Sequence, residues 1–185
     1  ENGDHHAGGV QRHRSRGMRR LSIALAGNPN SGKTTLFNVL TGSRQHVGNW
    51  PGKTVEKRSG RFSEGDVEFE VVDLPGTYSL AAVSPEELVA RGYLLEETPD
   101  VVILVVDASN PERNLYLTVQ ILELGIPCVV ALNMSDTAEA RGLRIDHDLL
   151  QQRLGIPVIR TVARRRDGIE DLLKAVVAVG AERAA

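Results

Sequence analysis

Gly27-Asn28-Pro29-Asn30-Ser31-Gly32-Lys33-Thr34 follows the apolar run at residues 21–26 and precedes Thr35-Leu36-Phe37. A Gly-x4-Gly-Lys-Thr pattern thus lies between a strand signal and a helix signal, the context that a phosphate-binding loop requires. Such a loop curls with its backbone N–H groups pointing inward. Lys33 reaches the β- and γ-phosphates, Thr34 offers its hydroxyl to Mg2+, and the helix behind adds the positive end of its dipole. At average composition the pattern arises by chance in about 0.6% of chains this long, so a plain Gly-rich turn with a solvated lysine is the poorer explanation.

Outward from the loop, residues 33–40 read as a helix with Leu36, Phe37 and Leu40 on one face. Residues 43–53, with Gly48, Pro51 and Gly52, read as a mobile loop. Residues 55–62 and 67–72 flank Ser63-Glu64-Gly65-Asp66 as the arms of a hairpin would. Residues 101–106 and 127–132 are apolar throughout, as parallel strands covered on both faces are, and 158–162 is a shorter case. Ser84-Pro85-Glu86-Glu87 is a capping box with proline at the first helical position, so Glu86 and Glu87 read as helix-start carboxylates. Asn110-Pro111 opens a helix that Gly125 closes, and Asp146 caps one that stops at Gly155. Ile169, Leu172, Leu173, Val176 and Val177 make the stripe of a helix lying on a sheet. Strands alternating with helices imply a three-layer α/β domain of the P-loop NTPase kind: a mainly parallel six-stranded sheet with one antiparallel edge strand and helices on both faces. The domain is expected over residues 21–180, after a disordered arm or expression remnant at 1–20 and before a C-terminal stub at 181–185.

The 185 residues suit one domain with a proper core. The formal charge of −2 is unevenly laid out, because Arg12, Arg14, Arg16, Arg19 and Arg20 crowd the start and leave the rest acidic. A broad nucleic-acid-binding face needs a basic stripe on the folded part, so no nucleic-acid partner is expected. Cys128, the only cysteine, reads as a small apolar residue in a buried strand and excludes an intrachain disulfide. No apolar segment approaches the roughly 20 residues that span a bilayer, so the chain is expected to be soluble. His5, His6 and His13 read as a solvated tail, and His46 as a solvated loop residue.

Two motifs bear on the choice of nucleotide. Asp73-Leu74-Pro75-Gly76 ends the strand at 67–72, where a carboxylate can hold Mg2+ through water and the Gly76 N–H can meet a γ-phosphate. Asn133-Met134-Ser135-Asp136 ends the strand at 127–132. Guanine offers adjacent N1–H and N2–H donors that Asp136 can accept together; adenine offers no such pair, and a buried carboxylate facing it would lose partners.

The stretches at residues 27–38, 47–52, 54–57, 73–80, 106–110 and 133–136 together closely resemble the N-terminal G domain of the bacterial ferrous iron transport protein B family, within the translation-factor-like class of GTPases. The resemblance covers residue 21 to about residue 178 and implies a Ras-like G domain that hydrolyses GTP to GDP and phosphate with Mg2+. It assigns to the nucleotide Gly27, Asn28, Pro29, Asn30, Ser31, Gly32, Lys33, Thr34 and Thr35 of the loop, and Trp50, Pro51, Gly52 and Thr54 of switch I. It adds Asp73 and Gly76 of switch II, the base-reading Asn133, Met134 and Asp136, and Val162, Ala163 and Arg164, the last base-contacting segment. Thr34, Thr54 and Asp73 are then the Mg2+ ligands. Potassium stimulation is implied as well, K+ taking the Asn30 side chain and the backbone carbonyls of Gly48 and Trp50, where a cation offsets charge that develops in phosphoryl transfer.

Thr77 stands where many GTPases of this class have a water-orienting glutamine, so slow intrinsic turnover is expected, with Asn30, Lys33, Thr54 and Gly76 as the catalytic set. Trp50 is expected either to pack on the nucleotide edge or to shield switch I. Lys53 replaces an apolar residue of the family pattern, and Ala163-Arg164 replaces the usual Ser-Ala, a change expected to loosen guanine retention; Arg164, Arg165 and Arg166 otherwise read as a solvated face. The family continues into a helical domain and a membrane permease, which implies a transporter with this domain on the cytoplasmic face of the bacterial inner membrane and able to form homo-oligomers. Two other readings stand at this point: a regulatory GTP/GDP-binding module with negligible hydrolysis, and an Era-type ribosome-associated GTPase, expected to carry an RNA-binding appendage.

Overall fold

Leu21, Ile23 and Leu25 are buried in one apolar cluster, and Ala24 and Ala26 in another. Successive side chains of a strand point to opposite faces, so this first strand is covered on both sides and must lie inside the sheet. The computed structural model describes residues 18–183 and contains, in order, β1 (Arg19–Gly27), α1 (Lys33–Thr41), β2 (Gln45–Asn49), β3 (Glu56–Glu64), β4 (Val67–Asp73), α2 (Pro85–Glu96), β5 (Val101–Asp107), α3 (Pro111–Leu122), β6 (Cys128–Asn133), α4 (Ser135–Ala140), α5 (His147–Leu154), β7 (Val158–Arg160) and α6 (Ile169–Arg183). Most of the expected N-terminal arm, including His5, His6 and His13, lies outside the described residues. Arg19 and Arg20 belong to β1, where Arg20 pairs with Glu68 of β4 at 2.8 Å.

One seven-stranded sheet runs in the order β2-β3-β4-β1-β5-β6-β7. β4, β1, β5, β6 and β7 are mutually parallel, whereas β3 is antiparallel to both of its neighbours. Leu36, Phe37 and Leu40 of α1 and Ile169, Leu172, Leu173 and Val176 of α6 cover one face. Val89, Ala90 and Leu94 of α2 and Leu117 and Ile121 of α3 cover the other, with α5 adding Leu150 and Leu154. Cys128 is 1% exposed, and burial pushes its thiol up to about 12, so it stays a neutral packing group.

The helix signals hold in detail. Ser84 accepts from the Glu87 N–H at 3.1 Å while Glu87 reaches back to the Ser84 N–H, completing the capping box. Hydrogen bonds from the Val83 N–H and the Ser79 hydroxyl help hold the Glu87 carboxyl below the usual carboxylate range. Asp146 accepts from the Leu149 N–H at 2.9 Å, and Gly155 ends α5 in the left-handed region.

Three features differ from the sequence reading. The expected loop at 43–53 contains β2, the seventh strand, paired from Gln45↔Gly60 to Asn49↔Glu56. Gln-His-Val-Gly-Asn has no apolar alternation to announce a strand, and its last four residues are exposed; backbone pairing alone makes it one. β7 stops at Arg160, two residues short of the expected end, because Val162 turns to bridge Asp167. α4, at six residues, is too short to show a period. Phe37 is 0% exposed between α1 and the sheet, so Phe37→Ala is expected to cost about 3–5 kcal/mol, read as a lower midpoint with unchanged slope in denaturant melts.

Candidate functional site

Parallel strands deliver their C-terminal ends to one edge. Gly27 of β1, Asp73 of β4, Asp107 of β5 and Asn133 of β6 all close their strands there, the edge at which open α/β sheets take ligands.

The loop after β1 is shaped by close approach. A Cβ on Gly27 would lie 2.7 Å from the Val105 carbonyl oxygen, and one on Gly32, whose φ is +86°, would lie 2.1 Å from Asn133 Nδ2. Asn30 takes a left-handed φ of 64°, which asparagine tolerates better than most residues. α1 then begins at Lys33 with no acidic residue in its first turn and no side-chain cap, so its N-terminal N–H groups and dipole are left for an anion. Asn28, Pro29, Asn30, Gly32, Lys33, Thr34 and Thr35 line a cavity of about 550 Å³ together with Gly76 and Met134.

Residues 74–77 are tied to this loop. The Leu74 N–H donates to the Leu25 oxygen at 3.0 Å and the Thr77 N–H to the Gly27 oxygen at 3.2 Å, while a Cβ on Gly76 would meet the Pro29 backbone at 3.3 Å. Thr77 is buried. Asp73 forms a buried ion pair with Lys33. Burial raises the Asp73 carboxyl above its usual range, and Lys33 opposes that only in part.

Asn133 joins three segments. Its Nδ2 donates to the Ser31 oxygen at 3.1 Å, and its Oδ1 accepts from the Thr161 hydroxyl at 3.2 Å and the Ala163 N–H at 3.0 Å. Met134, at φ 57°, turns the chain from β6 into α4 and so places Asp136 in that helix's first turn. A second cavity of about 270 Å³ is lined by Gly32, Thr35, Asn133, Met134, Asp136, Thr137, Val162, Ala163 and Arg164. It shares Gly32, Thr35 and Met134 with the first, so the two lie side by side.

Among the described residues, Asn28 Oδ1, Ser31 Oγ, Asp136 Oδ1 and Trp50 Nε1 are buried without a hydrogen-bond partner. Three of these four belong to the loop and to the segment after β6. Buried polar atoms are normally paired, so the clustering marks where a polar ligand completes the protein.

Switch I is placed elsewhere. Trp50 and Val55 are buried, the Trp50 N–H donates to the Val55 oxygen at 2.9 Å, and the indole meets Tyr93 of α2 edge-on at 5.6 Å beneath the Lys57 ammonium at 4.6 Å. Gly48 pairs with Lys57 in the sheet, and Pro51, Gly52 and Thr54 are exposed in the turn between β2 and β3. None of Gly48, Trp50, Pro51, Gly52 or Thr54 lines either cavity. His46 is exposed, in β2 instead of a loop.

The structure also adds a contact that the sequence reading missed. Arg164 and Arg165 do not simply form a solvated face: Arg164 pairs with Asp136 Oδ2, and Arg165 stands 3.7 Å from the same oxygen. The Arg164 hydrogen bond leads the effects that hold the Asp136 carboxyl below its ordinary range. Arg166 turns away and donates to the Val39 oxygen at 3.2 Å.

The family model for ferrous iron transport protein B matches residues 21–176. The Fe(2+) transporter FeoB of Escherichia coli (strain K12) is 59% identical over 163 residues, covering 86% of this chain and 21% of that protein; the chain thus spans about a fifth of the length of the curated relatives it matches. The G domain of T. maritima FeoB superposes with a TM-score of 0.82 at 46% identity, covering 87% of this chain and 99% of that one. A mutant of S. thermophilus NFeoB bound to GDP gives 0.82 at 50% identity, over 86% and 62% of the two chains. With the family model matched over residues 21–176, 59% identity to a family member and a TM-score of 0.82 to a G domain, this chain belongs to the ferrous iron transport protein B family and has the fold of its G domain.

Proposed function

We propose that this chain is the GTP-binding and GTP-hydrolysing switch domain of a ferrous iron transporter, joined to a helical domain and a permease and working at the cytoplasmic face of the bacterial inner membrane. The observation that carries the reading is the adjacency of the two cavities, with an anion-seeking loop at one end and the partnerless Asp136 Oδ1 at the other. A guanosine polyphosphate has that polarity: phosphates at α1, base donors at Asp136. Homo-oligomers belong to the full-length protein in this reading.

The chain's own residues do the following. Backbone N–H groups of the loop and of α1 take the phosphate oxygens, and Lys33 exchanges Asp73 for them. The donors present suit Mg2+, because Asp73 is paired with Lys33 at the start of α1 and Thr34, the next residue, lines the phosphate cavity; a hard cation held by few protein oxygens and the phosphates themselves fits that set. Mg2+ held by Thr34, Asp73 and, in the GTP state, Thr54 would offset charge on the transferring phosphoryl group. Asn30 lines the phosphate cavity and is exposed, which suits a K+ ion there, and the Gly48 and Trp50 carbonyls would join it only after the turn leaves α2.

Among the described residues that line the phosphate cavity there is no His, Asp or Glu to act as a base. Thr77 is buried with its N–H given to Gly27, so water is positioned by backbone near Thr54 and Gly76 and turnover is slow. That same burial favours, as second reading, a module that binds nucleotide and hydrolyses it only as a reset; single-turnover hydrolysis much slower than labelled-nucleotide release selects it.

Three outcomes are expected. Lys33→Ala lowers GDP and GTP affinity by about 10- to 100-fold, the worth of a charge-assisted contact, by calorimetry on protein whose melting curve shows it folded; unchanged affinity removes the loop assignment. Asp136→Ala costs GDP roughly 100-fold and leaves ADP alone, whereas equal losses for both bases would refute the base reading. Turnover rises when K+ replaces Na+, and Asn30→Ala abolishes the difference; the same rate in both salts rejects potassium.

A further inference from the structure

The carboxylate that is to read guanine is already engaged. Asp136 Oδ2 accepts from Arg164, with Arg165 Nη2 at 3.7 Å, while Oδ1 is buried without a hydrogen-bond partner, although the Thr137 backbone N–H lies near enough to favour the charged carboxylate. We propose that Arg164 is a specificity-determining competitor, a guanidinium that must yield Asp136 Oδ2 before guanine can bind with both of its donors. This inference rests on the guanine reading given above.

The geometry suits a part that yields. Arg164 lies in the 3-10 turn Ala163–Arg165, and that backbone is pinned by the Ala163 N–H on Asn133 and by the Val162–Asp167 bonds at 3.1 and 3.2 Å. Its side chain is 65% exposed against 17% for Asp136. The guanidinium can therefore swing into water at little cost, while the less exposed carboxylate stays in place on the lining of the smaller cavity. An anchored backbone and a free side chain place a competitor beside the site without loosening the site itself.

The two oxygens are not equivalent, and this gives the competition a chemical signature. Guanine presents N1–H and N2–H side by side and requires both oxygens, so it displaces Arg164. Hypoxanthine presents N1–H alone and can bind the partnerless Oδ1 with Arg164 still on Oδ2. Arg164 thus taxes guanine and spares hypoxanthine, and the apparent dissociation constant of guanine nucleotides rises by the fraction of time that Oδ2 is taken. Because the pair is largely exposed on the arginine side, salt weakens it.

The test compares GDP and IDP binding, by calorimetry and stopped-flow release, to the wild-type domain, Arg164→Ala, and the double variant Arg164→Ala/Arg165→Ala, which also removes the second guanidinium. A pair of this exposure predicts about two- to five-fold tighter GDP binding in the variants, IDP unchanged, and a GDP advantage that shrinks as salt rises from 50 to 500 mM. Equal or weaker GDP binding overturns the proposal, and so does a parallel change for GDP and IDP, which would mean that Arg164 acts on the phosphates or the fold. If GDP binds the wild type and Asp136→Ala weakens it while the Arg164 variants do not differ, the guanine reading stands and the competitor falls; if GDP binds none of these proteins, both fall.

Discussion

The site depends on one amide. Asn133 is 3% exposed, and its three hydrogen bonds join the phosphate loop at Ser31, the end of β6 and the segment from Thr161 to Ala163, partners 28 to 102 residues away in sequence. The terminal atoms of an asparagine supply two donors and an acceptor with two lone pairs. Here the oxygen is fully used and the nitrogen fixes the loop, so a single amide ties together the walls of the two cavities. Gly32 is glycine for the same reason, since a methyl there would collide with Asn133 Nδ2. Both ends of the ligand site are therefore one construction. A buried tie with three hydrogen bonds is also costly to break, because each released group would be left unpaired.

Two acid–base pairs flank that tie, and they differ in kind. Lys33 and Asp73 are both buried, so their attraction works against the cost of taking the carboxylate out of water, which is why the carboxyl is shifted upward despite its partner. Taking Lys33 away from Asp73 without supplying another anion would leave an unmatched buried charge. Phosphate oxygens are such an anion, so exchange between internal and external partners is the low-cost route. Arg164 and Asp136 sit where water reaches the cation, so breaking that pair costs little. In the proposed function the phosphate end would thus be pre-charged and stiff, and the base end adjustable.

Much of this was legible in the sequence because its signals are local. β1, β5 and β6 are uninterrupted apolar runs, and only strands covered on both faces call for those. Ser84 with Glu87, and Asp146 with Gly155, are capping chemistry complete within a few residues. The loop's glycines announce a close approach even though the partner, Asn133, is a hundred residues off. What was hidden depends on long-range geometry. β2 exists because β3 offers it a ladder, and nothing in Gln45–Asn49 asks for one. Arg164 looked like one of three solvated arginines because its partner lies 28 positions away. Trp50 was legible as a single aromatic in a loop, but its docking on Tyr93 requires α2 to be in place first.

That docking links the two switch regions. Trp50 and Val55 share an apolar cluster with Leu80 and with Val89, Ala90 and Leu94 of α2, so the turn carrying Thr54 is held by its own flanks against the helix that follows switch II. In the proposed reaction Thr54 joins Mg2+, and moving it there would uncover Trp50. A buried tryptophan covers about 150–250 Å², roughly 4–6 kcal/mol at the usual area coefficient, and taken alone that would lock the turn down. The indole N–H, however, is buried with no acceptor, which returns about 1–3 kcal/mol on exposure to water. The remainder is a few kcal/mol, within reach of the differential binding energy that a γ-phosphate and its cation can supply, and small enough that the docked turn reforms once they leave. In the proposed reaction, displacing Thr54 toward Mg2+ would also take the indole away from Tyr93, so α2 loses an aromatic neighbour whenever switch I is released.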